Sequence, residues 1–204
     1  MNIRYIIFAA VLLLGGAGLF LLPIKDKTNE VQPKELMTAL FDQTRYISTD
    51  EIAERLINED PSLFLIDVRM ADYYYEFSLP GAANIPLEEI LSPDFAEYLE
   101  QEFMDIVFYS TGDIFAEQAW MMASRAGYEN LYIMKGGLNE WFATIIQPQK
   151  PADTEPEEAF ALYAFREGAS QYFGGGGLIE AETDNLQPVV VKRKKKEAVV
   201  EGGC

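Results

Sequence analysis

The sequence predicts an α/β fold in which a mainly parallel sheet is flanked by helices. Two observations support this prediction. First, short and nearly continuous apolar runs at residues 63–68 and 106–109 alternate with segments of helical periodicity. A strand that is apolar at every position is buried on both faces, as in a parallel sheet covered by helices. Second, 49% of the 204 residues are hydrophobic, enough for one good core. The ligand site of such a sheet is expected at the carboxyl ends of its strands.

The predicted elements follow one another as strand, helix and strand. A short strand at residues 46–47 precedes a helix at 51–57, which Ser48 and Glu51 open with the spacing of a capping box. The buried strand 63–68 leads into a tyrosine-rich loop. The remaining predicted elements are a strand at 84–86, helical stretches within 87–103, a strand at 106–109, a helix at 114–126, a strand at 131–134 and a helix at 138–143.

Charge and residue types exclude several functions. Residues 1–191 hold 11 basic and 31 acidic side chains, a net charge of −20, whereas residues 192–204 hold five basic and two acidic ones, a net charge of +3. An acidic body argues against nucleic acid as a partner. The chain has no histidine and a single cysteine, Cys204. Without histidine it lacks the usual general base and the commonest zinc ligand. We therefore expect no metal and no cofactor.

The N-terminal segment contains an apolar stretch. Residues 5–22 form an 18-residue run without a charged side chain, which as a helix spans about 27 Å, close to the hydrocarbon thickness of a bilayer. We interpret residues 1–23 as an uncleaved single-pass transmembrane anchor, with a cleaved signal peptide as the alternative. Membrane lipid is then a partner of residues 5–22, and the folded domain is expected to be extracytoplasmic, in the periplasm. Residues 24–45 form a polar spacer that includes a helical turn or two.

Three motifs occur in order within residues 46–146. They are residues 65–69 (LIDVR), residues 79–86 (LPGAANIP) and residues 126–137 (AGYENLYIMKGG), the last followed by Trp141. Together they resemble a single rhodanese-like domain, a three-layer α/β fold. Rhodanese-like domains that transfer sulfane sulfur carry a cysteine in a six-residue loop after the fourth strand, and this loop often ends in arginine.

The resemblance implies that the corresponding loop here has lost its chemistry. The loop consists of Ser110, Thr111, Gly112, Asp113, Ile114 and Phe115. It has Ser110 at the cysteine position and Phe115 at the arginine position. A persulfide requires a thiolate, and a serine without a neighbouring base cannot replace it. Asp113 adds negative charge, and the missing arginine removes a bidentate oxyanion contact. We therefore predict no catalytic residue, with Ser110 as the degenerate position.

Other roles remain open for the predicted site. Ser110 could cap the following helix or close the turn, and Thr111 or Asp113 could do the same. Alternatively, the backbone N–H groups of residues 110–115 keep a pocket for an anion or a peptide carboxylate. The resemblance also implies that Asp67 and Arg69 hold the loop framework. Residues 73–75, three consecutive tyrosines, form either an exposed recognition patch or aromatic packing over the sheet edge.

The C-terminal region divides into two parts. Residues 147–173 are interpreted as a linker and an amphipathic helix, which packs on the domain or docks a partner or the membrane surface. Residues 174–204 are predicted to be a flexible tail. Their basic run at 192–196 is a solvated stretch or a contact for anionic lipid or an acidic partner. Cys204, behind two glycines, resembles in outline the swinging arm of carrier proteins in bacterial sulfur oxidation.

Two functions follow from these observations. The first is a membrane-tethered, catalytically inactive rhodanese-like domain that acts as a binding or scaffold module for a protein partner. The alternative is a sulfur carrier, or a sulfurtransferase accessory, that uses Cys204 on a C-terminal arm.

Overall fold

The computed structural model describes residues 4–5 and 30–175. The chain divides into two compact units, Met1–Glu30 and Val31–Cys204. In the first unit, Arg4 and Tyr5 are helical. No helix within the described residues is long and apolar enough to cross a membrane. Apart from Tyr5, the predicted anchor at residues 5–22 lies outside the described residues.

The described part of the second unit contains a parallel sheet of five strands in the order β1-β5-β4-β2-β3. Strand β4 lies at its centre and pairs with β2 from Ile106 opposite Phe64 to Tyr109 opposite Asp67, and with β5 on its other side. The prediction of a parallel sheet is thus confirmed. The strands are β1 Tyr46–Ile47, β2 Leu63–Asp67, β3 Ala83–Asn84, β4 Asp105–Tyr109 and β5 Leu131–Met134.

Helices connect the strands and cover both faces of the sheet. They are α1 Pro33–Phe41, α2 Thr49–Ile57, α3 Ala71–Glu76, α4 Ala96–Leu99, α5 Asp113–Ala126, α6 Gly137–Trp141 and α7 Glu157–Ser170. Single 3-10 turns lie at Gln43–Arg45, Leu87–Glu89 and Pro93–Phe95, and π-helical turns continue α6 and α7 over Phe142–Ile146 and Gln171–Gly175.

Local sequence signals explain several helix ends. The Ser48 hydroxyl accepts a hydrogen bond from the Glu51 N–H at 3.1 Å, as the capping-box spacing predicts. Helix α5 ends at Gly127, whose φ of 93° is the left-handed conformation that glycine adopts readily.

The tyrosine-rich segment is a helix, α3, and the prediction of a loop there was wrong. Tyr74 is 2% exposed, and its hydroxyl donates to the Ala82 carbonyl at 2.7 Å. This contact anchors one face of α3, while Tyr73 and Tyr75 remain exposed. Tyr74 therefore packs as the second alternative predicts, and a recognition role for Tyr73 and Tyr75 stays a prediction.

The core has two layers, one on each side of the sheet. In β4, Val107 and Tyr109 belong to one buried cluster, and Ile106 and Phe108 belong to the other. This alternation is the two-residue period of a strand. It explains why β4 is apolar along nearly its whole length.

Segments on both sides of the predicted domain pack against it. Helix α1 is adjacent to α5, with Leu36 partly buried in the core cluster on that face. The Arg125 guanidinium donates to the Val31 carbonyl at 2.7 Å. These contacts join part of the predicted polar spacer to the domain.

Helix α7 also packs on the domain, as one of the two alternatives predicted. Ala169 is 1% exposed within the core cluster. The Arg166 guanidinium forms two hydrogen bonds of 2.7 Å with the Asp50 carboxylate. The Phe173 ring lies 5.1 Å from that of Trp141. The C-terminal helix therefore covers one face of the core.

Candidate functional site

The candidate site lies at one edge of the sheet, where β2, β4 and β5 end. Because the strands are parallel, the segments that follow them meet at this edge. These segments are residues 67–69, residues 110–115 and the glycine pair at the start of α6, Gly136 and Gly137. The structure therefore brings Asp67, Arg69 and the predicted loop to one edge. Cys204 lies outside the described residues.

Ser110 is buried at the end of β4, with only 2% of its surface exposed. Its carbonyl accepts a hydrogen bond from the Leu138 N–H at 2.9 Å, and the Thr111 carbonyl accepts one from the Asn139 N–H at the same distance. Among the described residues, the Ser110 hydroxyl has no hydrogen-bond partner, yet the fully buried side-chain atoms without a partner there are the Nε of Arg45 and the Nε1 of Trp141, so the Ser110 oxygen keeps some contact with solvent. The backbone of the loop is therefore tied to α6, while the Ser110 hydroxyl makes no hydrogen bond.

The prediction that a side chain of the loop caps helix α5 was wrong. The residue before the helix is Gly112, and no side chain caps the first turn. The Asp113 carboxylate instead accepts a hydrogen bond from the Gly136 N–H at 2.5 Å. This contact spans 23 residues of sequence, so local spacing does not reveal it.

Close packing at Gly137 fixes the shape of the loop. Its φ is +59°, and a Cβ there would lie 2.6 Å from the Ser110 carbonyl oxygen and 2.8 Å from the Gly112 Cα. Both the backbone conformation and the space therefore require glycine. Gly137, the last glycine of the AGYENLYIMKGG motif, is therefore a structural part of the loop.

The loop offers N–H groups but no strong positive charge. No backbone carbonyl in the described part of the chain accepts a hydrogen bond from the N–H groups of Thr111, Gly112 or Asp113. These groups precede or open α5, where the helix dipole favours an anion. The Asp113 carboxylate lies in the same turn, and no guanidinium follows because residue 115 is Phe115, which is 53% exposed.

Asp67 and Arg69 form a closed network beside the loop. Asp67 is fully buried and pairs with Arg69, whose Nη2 lies 2.6 Å from Oδ2, while the same Nη2 donates to the Phe77 carbonyl at 2.5 Å. Burial lowers the pKa of the Arg69 guanidinium, but the hydrogen bonds and charge of Asp67 raise it by more, so the net direction is upward. Arg69 is thus a permanently charged structural partner of Asp67.

Two residues of this network were missed from the sequence. Asn84 donates from Nδ2 to the Asp67 carbonyl at 3.0 Å and to the Arg69 carbonyl at 2.8 Å. Tyr109 accepts the Leu79 N–H at 3.1 Å. Burial, together with the charge of Asp67, raises the pKa of Tyr109 well above its ordinary value. The position of Asn84 inside the LPGAANIP motif is the signal that could have identified it.

Four exposed apolar side chains stand around the loop, and we call them the apolar collar. They are Phe77, Ile114, Phe115 and Phe142, with exposures of 36%, 69%, 53% and 40%. The rings of Phe77 and Phe142 lie 4.9 Å apart. Phe142 follows α6, in which the Nδ2 of Asn139 would lie 3.8 Å from a Cβ added at Gly112. The sequence identified Ile114 and Phe115 as loop residues but not their apolar neighbours.

The described residues offer no metal centre. No group of three histidine, cysteine, aspartate or glutamate side chains among them could hold an ion. At this edge the loop presents backbone N–H groups, and the collar presents exposed apolar side chains.

Comparison with known proteins identifies the domain. The sequence pattern of the rhodanese-like domain family matches residues 48–144. The chain is 31% identical over 86 residues to the centrosomal protein of 41 kDa from Xenopus tropicalis, which covers 39% of this chain and 24% of that protein. It is 30% identical over 99 residues to a probable molybdopterin-synthase adenylyltransferase from Pyropia yezoensis. This match covers 48% of this chain and 25% of that protein. The chain spans about a quarter of the length of these curated relatives.

Solved structures of rhodanese-like proteins are also similar. A rhodanese-like domain from Anabaena has 27% identity and a TM-score of 0.43, with 55% of this chain and 88% of that one covered. A human single-domain sulfurtransferase has 26% identity and a TM-score of 0.41. The match covers 48% of this chain and 95% of that one. Residues 48–144, just under half of the chain, match the rhodanese-like domain family, and in the structure they form an α/β fold with a parallel sheet flanked by helices.

Proposed function

We propose that this rhodanese-like domain is catalytically inactive and acts as a membrane-tethered binding module. The observation that carries the proposal is Ser110, which stands at the end of β4 where sulfur-transferring members of the family carry cysteine. The residue is 2% exposed, and its hydroxyl has neither a base nor any other hydrogen-bond partner among the described residues. A hydroxyl without a base is a poor nucleophile, and oxygen does not form a persulfide.

The surroundings of Ser110 support binding rather than turnover. Phe115 occupies the position of the arginine that would hold an anionic sulfur donor, and Asp113 adds a carboxylate to the same turn. The apolar collar instead offers exposed side chains suited to apolar contacts with a polypeptide. The tether is proposed from the apolar stretch at residues 5–22, with the domain on the extracytoplasmic side.

Activity measurements test the first half of the proposal. The full-length chain and its Cys204→Ala variant are assayed for thiosulfate:cyanide sulfurtransfer beside a single-domain sulfurtransferase as a positive control. We expect both chains to match the rate of the buffer alone. Turnover by the Cys204→Ala variant, which has no thiol, would refute catalytic inactivity.

Capture measurements test the second half. The full-length chain is used as bait in detergent-solubilised membranes, and bound proteins are compared with those held by Phe115→Glu. A matched control is Phe103→Glu, because Phe103 is 89% exposed and precedes β4 at the opposite edge of the sheet. Loss of the same partner from the Phe115 variant alone is the expected result. Equal capture by all three chains would argue against a binding site at the collar.

The second candidate function is sulfur transport by Cys204. The sequence favours it only through the position of its single thiol behind two glycines. Mass spectrometry of the chain after incubation with a persulfide donor tests this candidate. A sulfane sulfur adduct on Cys204 at the level of a known carrier supports it, and the absence of any adduct under those conditions refutes it.

A further inference from the structure

We infer that the C-terminal basic segment of this same chain, residues 188–200, binds the apolar collar and occupies the site in cis. This inference rests on the proposed binding function and names a regulatory occupant of that site. The segment has the sequence PVVVKRKKKEAVV, in which five consecutive basic residues are flanked by valines on both sides. A partner protein would have to displace it.

Charge complementarity is the first observation behind this inference. The helices that border the collar carry exposed acids, Asp72 and Glu76 on α3 and Glu140 on α6. The basic side chains near these acids are Arg69, which pairs with Asp67 and interacts with Glu76, Arg166, which pairs with Asp50 and interacts with Glu140, and the exposed Lys135. The edge therefore has an acidic rim, and opposite charges across a contact steer association and fix its orientation.

Apolar complementarity is the second observation. The four side chains of the collar are between 36% and 69% exposed, and two of their rings already touch. Valines on both sides of a basic run allow one short peptide to cover these rings while its lysines reach the acidic rim. A solvated polyanion would match the lysines alone, and it would leave the valines and the collar in water.

The position at which the described chain ends is the third observation. A Cβ added at Gly174 would lie 3.2 Å from the Ile146 side chain. Ile146 ends the π-helical turn that begins at Phe142 of the collar, about 6 Å away along the helix axis at 1.5 Å per residue. The tail therefore departs from the domain within one helical turn of the collar.

The length of chain before the basic segment permits the contact. The 16 residues from 176 to 191 reach at most about 55 Å when fully extended. Attachment within one chain raises the effective concentration of the basic segment, into the millimolar range for short flexible linkers. Individually weak apolar and ionic contacts are then sufficient for occupancy, and the same contacts leave room for competition by an external partner.

Site-specific photocrosslinking tests the inference in the full-length chain. The chain is placed in nanodiscs of zwitterionic lipid, so that no anionic surface competes for the basic run. The photoreactive residue p-benzoylphenylalanine replaces Phe142, or replaces Phe103 as the matched control at the opposite edge of the sheet. After illumination, crosslinked peptides are identified by mass spectrometry.

We expect crosslinks from position 142 to residues 188–200 of the same molecule, independent of protein concentration, and a yield several-fold lower from position 103. Reversal of the five charges at residues 192–196 to glutamate should reduce the yield several-fold. Salt at about 1 M, where the Debye length falls to about 3 Å, should also reduce it.

Three outcomes would overturn the inference. They are equal yields from positions 142 and 103, crosslinks that grow with protein concentration, and crosslinks from position 142 to another polypeptide in place of the tail. The last outcome leaves the collar as a binding surface, so the proposed function survives it. Sulfurtransferase turnover by the Cys204→Ala variant overturns the proposed function without affecting the crosslinks, and the two failures are therefore distinguishable.

Discussion

Two segments at the same edge of the sheet differ in the hydrogen bonding of their polar side chains. After β2, the Asp67 carboxylate is fully buried and pairs with Arg69, whose guanidinium also donates to the Phe77 carbonyl. After β4, Ser110 is 2% exposed, and its hydroxyl has no hydrogen-bond partner among the described residues but keeps contact with solvent. The first segment is a network of paired groups, whereas the second presents a hydroxyl that makes no bond within the fold.

The difference has an energetic basis. A buried charge must be paired, since an unpaired one costs several kcal/mol. A hydroxyl that keeps contact with solvent does not carry the cost of an unpaired buried group. The fold therefore depends on the first segment more than on the hydroxyl of the second.

The largest expected effect comes from breaking the first segment. Arg69→Ala leaves the Asp67 carboxylate buried and unpaired and should reduce the free energy of unfolding by about 3–5 kcal/mol. Urea denaturation at neutral pH measures the change. If the loss were below 1 kcal/mol, about the value of an exposed ion pair, the network could not be the structural support described here.

A smaller effect is expected from Gly137, the first residue of α6, which packs against the loop after β4. Gly137→Ala combines a left-handed backbone with a Cβ placed 2.6 Å from the Ser110 carbonyl oxygen, and it should cost about 2–4 kcal/mol. The matched control is Gly168→Ala, within α7, where nothing lies within 4 Å of an added Cβ. That control should stabilise the chain by about 0.5–1 kcal/mol. Equal effects at both positions would contradict a tightly fitted loop.

Tyr109 connects the two segments, because it ends β4 and accepts the Leu79 N–H. Tyr109→Phe leaves that buried donor without its acceptor and should cost about 1–2 kcal/mol. The raised pKa of Tyr109 also predicts a pH dependence. Its contribution to stability is complete below the unfolded pKa of about 10 and is lost as pH rises toward the folded pKa.

Denaturation of the wild type and of Tyr109→Phe at neutral and alkaline pH measures this dependence. The wild type should lose stability above about pH 10 more steeply than the variant, so the difference between them should shrink. A difference that stays constant across this range would show that the phenol does not titrate differently in the folded state.

The smallest effect is expected in the second segment. Ser110→Ala removes a hydroxyl without a hydrogen-bond partner, and the free energy of unfolding should change by less than about 0.5 kcal/mol. The same denaturation series measures it beside Arg69→Ala. A loss comparable to that of Tyr109→Phe would reveal a structural role for the Ser110 hydroxyl and remove the contrast between the segments.

The sheet could be predicted from the sequence because its strands carry their own signal. In a strand such as Asp105–Tyr109, alternate residues belong to the two core layers. Such a strand is therefore apolar at almost every position. The order of the motifs also located Asp67, Arg69 and the loop after β4. These features depend on local patterning, which a single sequence retains.

Contacts between residues far apart in the chain could not be predicted from the sequence. The Tyr74 hydroxyl donates to the Ala82 carbonyl and so anchors one face of its helix. The Asp113 carboxylate accepts a hydrogen bond from the Gly136 N–H and does not cap its own helix. The pairing of Phe77 with Phe142 similarly joins segments 65 residues apart. The folded backbone brings the members of such pairs together, and no local sequence pattern around either member predicts the contact.

The most direct test of the central claim restores the missing thiol. Ser110→Cys is made in a Cys204→Ala background, and the intact mass is measured after incubation with thiosulfate, beside the Cys204→Ala chain alone. If the missing thiolate is the decisive difference, in spite of Phe115 and Asp113, the new thiolate at position 110 attacks the sulfane sulfur of thiosulfate and releases sulfite. The Ser110→Cys chain then gains one sulfur atom and the control gains none. Sulfur on the control, or no gain at position 110, would contradict this explanation.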